Sequence, residues 1–311
     1  MRLRPAFEEF AATYGAGRPQ IVSTRLVADL ETPVSAYIKL ARGRPNSFLF
    51  ESVEGGTIIG RYSFIGIEPD LIWQCRGDRA DITRDCGTGA PSSQTHAGAL
   101  ESLRQVLSES RIDLPPDLPP MASALVGYMA YDAVRLMERL PDANPDVLGL
   151  PDAMFLRPTV IAVFDRLEDQ ITLFTPVWPA TPGTDARAAY DAAEARLGAA
   201  VERLNRPLPV TRTPGEVGSS LPPPVSNVTR ETYHAMVEKA KEYIRAGDAF
   251  QIVPSQRFRV PFELPPLSLY RALRRLNPSP FLFYLDFGGF SIVGSSPEIL
   301  VRVRNGRITI R

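Results

Sequence analysis

A segment rich in proline, glycine and serine, residues 206–225, most strongly limits how this chain can fold. It contains six prolines, which cannot continue a helix interior or pair in the middle of a sheet, and its glycines weaken both structures. The segment therefore predicts an exposed linker. At 311 residues the chain is long enough for two domains, which we place at residues 1–205 and 226–311.

Short strands dominate the first predicted domain. Residues 48–53 and 57–66 are rich in β-branched and aromatic side chains. The Glu-Gly-Gly of residues 54–56 predicts a hairpin turn between them, because glycine readily adopts a positive φ. Residues 158–164 and 170–175 predict a second strand pair. Antiparallel sheet is therefore expected to form most of this domain.

Amphipathic helices are predicted on both sides of the linker. Residues 186–204 carry apolar side chains at three- and four-residue spacing, which predicts a helix that packs on the first domain. A second helix is predicted to begin at Thr229, whose hydroxyl can accept from amides of the first turn, and to end at Gly247.

Two hairpins are predicted near the end of the chain. Residues 281–287 and 290–294 are joined by two glycines, and residues 299–304 and 307–311 are joined by Asn305-Gly306. Asn-Gly between alternating apolar residues is a strong hairpin signal. Together with the other elements, these hairpins predict an α+β fold with large antiparallel sheets and flanking helices.

Charge and composition exclude several functional classes. Lysine plus arginine (35) equals aspartate plus glutamate (35), so no net field attracts nucleic acid or an anionic membrane. Two cysteines, Cys75 and Cys86, are too few for a disulfide framework and are expected to be free thiols. The N-terminus lacks the apolar core of a signal peptide, and no apolar run approaches the roughly 18 residues of a membrane span. A cytoplasmic, soluble protein is therefore expected.

Familiar catalytic patterns do not occur in the sequence. It has no phosphate-binding G-x-x-x-x-G-K-[ST], no G-x-S-x-G and no H-E-x-x-H. The two histidines, His96 and His234, offer little material for a triad or a zinc site. Residue patterns alone thus predict an α+β protein with an unassigned pocket.

Several longer segments nevertheless resemble a known family. Residues 247–258 (GDAFQIVPSQRF), 277–284 (NPSPFLFY) and 292–298 (IVGSSPE) resemble the first part of the chorismate-binding domain of the anthranilate synthase component I family. Residues 48–66 and 127–141 resemble earlier segments of the same family, in the same order. This resemblance covers nearly the whole chain except the linker.

The resemblance implies an enzyme that converts chorismate and ammonia to anthranilate and pyruvate, the first committed step of tryptophan biosynthesis. It implies Mg²⁺ as cofactor, because a metal can hold the substrate carboxylate. It also implies a glutamine amidotransferase partner subunit that supplies the ammonia. The family fold is a sandwich with two antiparallel sheets, which is expected here to be incomplete at the C-terminus.

The catalytic residues and magnesium ligands of this family are expected in sequence that would follow Arg311. No catalytic or metal-binding residue is therefore transferred onto this chain. The resemblance accordingly implies that the 311 residues alone are inactive in anthranilate synthesis.

The resemblance also implies a feedback site for L-tryptophan. Unlike the catalytic residues, the residues that match this site are present in the sequence. Rigid proline and apolar surfaces can enclose an indole, while a hydroxyl and backbone groups can take up the ammonium and carboxylate. Leu282 stands where the family often has methionine, a change that nearly conserves volume. By resemblance, the site residues are Glu51, Ser52, Asn277, Pro278, Pro280, Phe281, Leu282 and Gly294.

Three alternatives are considered beside this interpretation. Component I of aminodeoxychorismate synthase shares the motifs, and the segment around Ser52 favours anthranilate synthase over it. The chain could instead act as a non-catalytic module that binds tryptophan or a partner. It could also be a fragment with an imperfect fold.

Overall fold

The computed structural model describes residues 1–54, 58–86, 91–114, 118, 121–141, 144–179, 185–209, 222–304 and 306–310. Their α-helices are α1 (Phe7–Gly15), α2 (Pro33–Ala41), α3 (Ala99–Glu109), α4 (Ala186–Asn205), α5 (Arg230–Ala246) and α6 (Pro266–Leu276). A short 3₁₀ helix spans Tyr131–Leu136.

The strands of the described residues are mostly short, and two are long enough to form the centre of a sheet. They are β1 (Gln20–Val27), β2 (Ser47–Glu51), β3 (Val53–Glu54), β4 (Ile58–Ile59), β5 (Tyr62–Arg76), β6 (Arg79–Arg84), β7 (Ser92–Ala97), β8 (Val126–Met129), β9 (Ala153–Asp165), β10 (Gln170–Val177), β11 (Val225–Ser226), β12 (Phe258–Arg259), β13 (Phe281–Asp286), β14 (Ser291–Ser296), β15 (Arg302–Arg304) and β16 (Arg307–Thr309).

Ten of these strands form one antiparallel sheet. Its main path runs β1-β10-β9-β5-β2-β13-β14, with β6 and β8 attached to β5 and β9, and β7 attached to β6. The two long strands β5 and β9 pair from Tyr62↔Asp165 to Cys75↔Ala153, with a bulge between Pro69 and Leu71. This large antiparallel sheet with flanking helices confirms the predicted α+β class.

Helices cover one face of the sheet and create the largest core. Alternating residues of the sheet, such as Leu49, Ile65 and Leu173, pack there against buried residues of α2 and α4. In α4 the buried positions recur every three or four residues, as the sequence pattern predicted: Tyr190, Ala193, Leu197, Ala200 and Leu204.

The predicted bounds of α5 are also confirmed. The Thr229 hydroxyl accepts a hydrogen bond from the Thr232 amide at the helix start. At the other end Gly247 has φ +83°, a left-handed conformation that glycine adopts without strain. No described helix has the length and apolar character needed to cross a membrane.

The predicted strand pairs form as well. β2 pairs with β5, and β9 pairs with β10. β13 pairs with β14, and the turn between them contains Gly288 at φ +82°. β15 pairs with β16. The turn residues 55–57 and Asn305 lie outside the described residues.

Helix α6 was not predicted. The sequence analysis placed no element between residues 258 and 281, whereas α6 occupies Pro266–Leu276. Tyr270 of α6 is fully buried in the core that also contains Leu282 and Tyr284 of β13. This helix and the β13–β14 hairpin therefore belong to the same core as the N-terminal strands.

The chain forms two compact units. The first consists of residues 1–209 together with 266–311, and the second of residues 210–265. The predicted linker lies largely outside the described residues, since 210–221 are not described. The division at residues 205 and 226 thus stays a prediction, to which the structure adds that residues 266–311 pack with the N-terminal strands.

Limited proteolysis should cut this chain within residues 206–225, because their composition disfavours regular structure. The two pieces are expected to stay together after the cut, since β13 of the second piece pairs with β2 of the first over five residues. A denaturing gel should show two bands while native size-exclusion elution stays unchanged. Separation of the pieces under native conditions would contradict this pairing.

Candidate functional site

The candidate site lies where β2 meets β13. β2 is hydrogen-bonded to β5 on one side and to β13 on the other, in a register that places Glu51 opposite Leu282. β13 in turn pairs with β14, so that Phe283 lies opposite Gly294. Two segments more than 200 residues apart in sequence, both named by the family resemblance, thus become neighbouring strands.

Glu51 is the chemical centre of this region. Its side chain is 2% exposed. Oε2 accepts hydrogen bonds from the Tyr270 hydroxyl at 2.6 Å and from Arg274 Nε at 2.9 Å. Oε1 accepts from an Arg274 Nη at 2.8 Å and from an Arg166 Nη at 3.4 Å. A carboxylate has about four lone-pair positions, so Glu51 is saturated by these partners.

Burial and the ion pairs shift the pKa values around Glu51. Burial raises the pKa of the Tyr270 hydroxyl, and the adjacent Glu51 carboxylate raises it further. Tyr270 therefore remains a neutral donor across the physiological pH range. Burial lowers the pKa of Arg166, and the attraction of Glu51 opposes this shift. Arg166 Nε is buried without a hydrogen-bond partner among the described residues.

The sequence analysis missed Tyr270, Arg274 and Arg166. The first two lie one turn apart on α6, so the helical spacing of Pro266, Leu267 and Tyr270 could have revealed them. Arg166 follows β9, and nothing in its local sequence indicates that it reaches β2.

Ser52 follows β2 directly and is half-buried. Its backbone carbonyl accepts a hydrogen bond from the Gly60 amide at 2.7 Å. A Cβ at residue 60 would approach the Ser52 Cβ to 2.5 Å and the Ser52 Oγ to 2.6 Å, so this close contact requires glycine. The Ser52 hydroxyl makes no hydrogen bond to another described residue and is therefore available to a ligand.

The connection from α6 to β13 carries the proline-rich part of the predicted site. Ser295 Oγ donates to the Asn277 carbonyl at 2.6 Å, and it also bonds to the Ser279 hydroxyl at 2.9 Å. These bonds fix the connection on β14. Pro278 and Pro280 are half-buried, and Asn277 is exposed.

The predicted residues of β13 and β14 do not share one face of the sheet. Leu282 is buried in the helix-covered core, on the same face as Glu51. Phe281 is 42% exposed and lies on the opposite face. Gly294 lies under the Phe283 ring, where an added Cβ would come within 2.0 Å of the ring. The structure brings the predicted residues close together, and their role in tryptophan binding stays a prediction.

The described residues contain no group of three or more histidine, cysteine, aspartate or glutamate side chains that could hold a metal ion. These residues by themselves offer no magnesium site, and the resemblance implies that the ligands follow Arg311. The magnesium requirement accordingly stays a prediction.

Comparison with known proteins agrees with the arrangement of these strands. Residues 30–311 match the family model described as chorismate binding enzyme. Anthranilate synthase component 1 of Cereibacter sphaeroides is 52% identical over 98% of this chain and 61% of the relative. The protein of the same name from Mycolicibacterium smegmatis is 42% identical over 97% of this chain and 58% of the relative.

A solved structure shows the same fold. The crystal structure of anthranilate synthase component I from Streptococcus pneumoniae superposes with a TM-score of 0.65 at 27% identity, over 92% of this chain and 60% of that chain. This chain thus spans about three fifths of the length of these relatives. The family match over most of its residues shows that the chain belongs to the chorismate-binding enzymes.

Proposed function

We propose that this chain contributes its matching part to an anthranilate synthase component I, which forms anthranilate and pyruvate from chorismate and ammonia. The observation that carries this proposal is the pairing of β2 with β13, which unites the segment around Glu51 with the segment around Leu282. The relatives of that name, at 52% and 42% identity, support it. In this proposal a glutamine amidotransferase subunit supplies the ammonia in the cytoplasm.

The proposed regulation is feedback by L-tryptophan near Ser52. Because four donor contacts already saturate Glu51, its carboxylate is poorly placed to receive the ligand ammonium as well. We assign Glu51 the task of holding the end of β2 against α6, which positions Ser52. The free hydroxyl of Ser52 then bonds the ligand, while the prolines of the α6–β13 connection contact the indole.

None of the roles that we assign to residues of this chain involves Mg²⁺. Since the described residues do not form a metal site, we route no step through the ion. If Mg²⁺ takes part in the proposed reaction, it would hold the carboxylate of chorismate and stabilise developing charge there.

Component I of aminodeoxychorismate synthase remains the second candidate, since its motifs are shared. Inhibition of turnover by tryptophan separates the two proposals, because the first one requires a regulatory site and the second does not. Formation of product from chorismate separates both enzymes from the non-catalytic alternative, which predicts no turnover.

The proposed activity can be tested with a chimera. This chain would replace the matching residues of the Cereibacter sphaeroides relative, which it covers over 61% of that protein's length. We expect the chimera to form fluorescent anthranilate from chorismate, magnesium and ammonia, and L-tryptophan to inhibit it. A folded chimera that forms no anthranilate would refute the proposed activity, and an active one that tryptophan leaves unaffected would favour the second candidate.

A further inference from the structure

A cavity lies at the opposite end of β2 from Glu51, beside Ser47 and within residues 1–209. It measures about 780 Å³ and is bounded by the end of α2, the middle of β5, the end of β10 and α4. This volume is within the range of about 300–1,000 Å³ that is typical of small-molecule sites. Neither Glu51 nor Ser52 lines it, so it is separate from the candidate site described above.

An arginine in the wall of this cavity is only partly satisfied. Arg196 of α4 donates from Nε to the Thr175 hydroxyl at 2.9 Å. Its two Nη groups have no hydrogen-bond partner among the described residues. Burial lowers the pKa of Arg196, and Asp70 opposes this shift only from a distance. A guanidinium so placed presents two donors suited to a carboxylate.

Two carboxylates of the cavity wall already form ion pairs with arginines. Glu68 forms ion pairs with Arg44 and Arg203. Asp70 accepts two bonds from Arg157, at 2.7 and 2.9 Å.

The third carboxylate, Asp85, is exposed at the rim. Arg196 is thus the cation of the lining whose charge a ligand can best neutralise.

Two buried polar atoms belong to residues of the cavity wall and lack partners among the described residues. Trp178 Nε1 and Asn46 Oδ1 are both shielded from solvent and lack hydrogen-bond partners among the described residues. Both residues line the cavity, whose other walls include apolar Leu40, Ile67 and Val177. Buried polar groups without partners are rare in proteins, and a bound molecule is one way in which they are satisfied.

We propose that this cavity binds a small carboxylic acid with an apolar body and one further polar group. The carboxylate bonds the Nη groups of Arg196, an acceptor of the ligand takes the Trp178 N–H, and the apolar body lies against Leu40 and Val177. This inference does not depend on the proposed function, because the site shares no residue with the region around Glu51.

The two tryptophans of the chain provide a direct test. Trp73 is fully buried and its Nε1 donates to Ser102 Oγ at 3.0 Å, so its indole signal serves as an internal control. In the chain labelled with ¹⁵N-tryptophan, benzoate should shift the Trp178 indole signal and leave that of Trp73 in place. Benzamide, the neutral isostere, should shift it far less.

Two variants connect the shift to Arg196. Arg196→Met should weaken benzoate binding about tenfold or more, because a charge-assisted bond is lost. The matched control Arg187→Met changes an exposed arginine of the same helix and should bind benzoate normally. If Arg196→Met does not fold, Ala192→Leu, which fills the cavity from α4, should abolish the shift instead.

Three results would overturn the proposal. They are an unchanged Trp178 signal at saturating benzoate, an equal response to benzamide, and a response that survives both Arg196→Met and Ala192→Leu. L-Tryptophan binding near Ser52 would be unaffected by any of them, so a failure here is distinguishable from a failure of the proposed regulation.

Discussion

Replacing Arg274 by methionine is expected to destabilise the first compact unit by about 2–4 kcal/mol. Arg274 supplies two of the four donor contacts of Glu51, whose side chain is 2% exposed. Without Arg274, the buried Glu51 carboxylate keeps only the Tyr270 hydroxyl and the longer 3.4 Å contact of Arg166. We place the effect below the largest known cases because 32% of the Arg274 side chain is exposed, which weakens the pair in the native protein.

The measurement is urea unfolding followed by tryptophan fluorescence. Both tryptophans, Trp73 and Trp178, belong to the first unit, so the signal reports on that unit alone. The matched control is Glu101→Gln, which breaks a surface pair with Arg104 and should cost about 0.5 kcal/mol or less.

A double substitution tests the electrostatic origin of this effect. Glu51→Gln together with Arg274→Met removes the carboxylate and its main cation and leaves the partly exposed Arg166, and the amide oxygen of the introduced glutamine can still accept from Tyr270. We expect the double variant to be more stable than Arg274→Met alone by about 1 kcal/mol or more. If the free energies of unfolding lost in Glu51→Gln and in Arg274→Met simply add in the double variant, the effect of Arg274→Met comes from lost packing. It does not then come from the charge of Glu51.

The sequence predicted those elements whose signals are local. Thr229 and Gly247 mark the ends of α5 within a single segment, and the β13–β14 hairpin turns on two adjacent glycines. Helix caps and hairpin turns depend on residues a few positions apart. They can therefore be predicted from a single sequence. Helix α6 had such a signal in Pro266 and the apolar residues that follow, and it was overlooked.

The centre of the candidate site could not be predicted in the same way. Glu51 was named only through the family resemblance, and its partners Arg166, Tyr270 and Arg274 are 115, 219 and 223 residues away. Only the placement of β2 between β5 and β13 brings them together. Pairing between strands so distant leaves no periodicity in the sequence, and the saturation of Glu51 therefore became visible only in the structure.

Ser52→Phe is expected to abolish tryptophan binding near β2, with an affinity loss of about tenfold or more from the missing hydrogen bond alone. The Ser52 hydroxyl has no partner among the described residues, and Gly60 packs directly on this serine. A phenylalanine ring would occupy the space that the ligand needs and would leave the ligand charges without a partner. Calorimetric titration of this chain with L-tryptophan measures the loss.

The same substitution in the chimera should separate regulation from catalysis. We expect turnover of chorismate to be largely retained while the tryptophan concentration for half-inhibition rises at least as much as the binding constant, because the two sites are coupled but distinct. Ser92→Phe, at an exposed serine of β7, is the matched control and should leave both binding and inhibition unchanged. An inhibition curve that Ser52→Phe does not move would remove Ser52 from the regulatory site, and the saturated Glu51 would then hold β2 in place for stability alone.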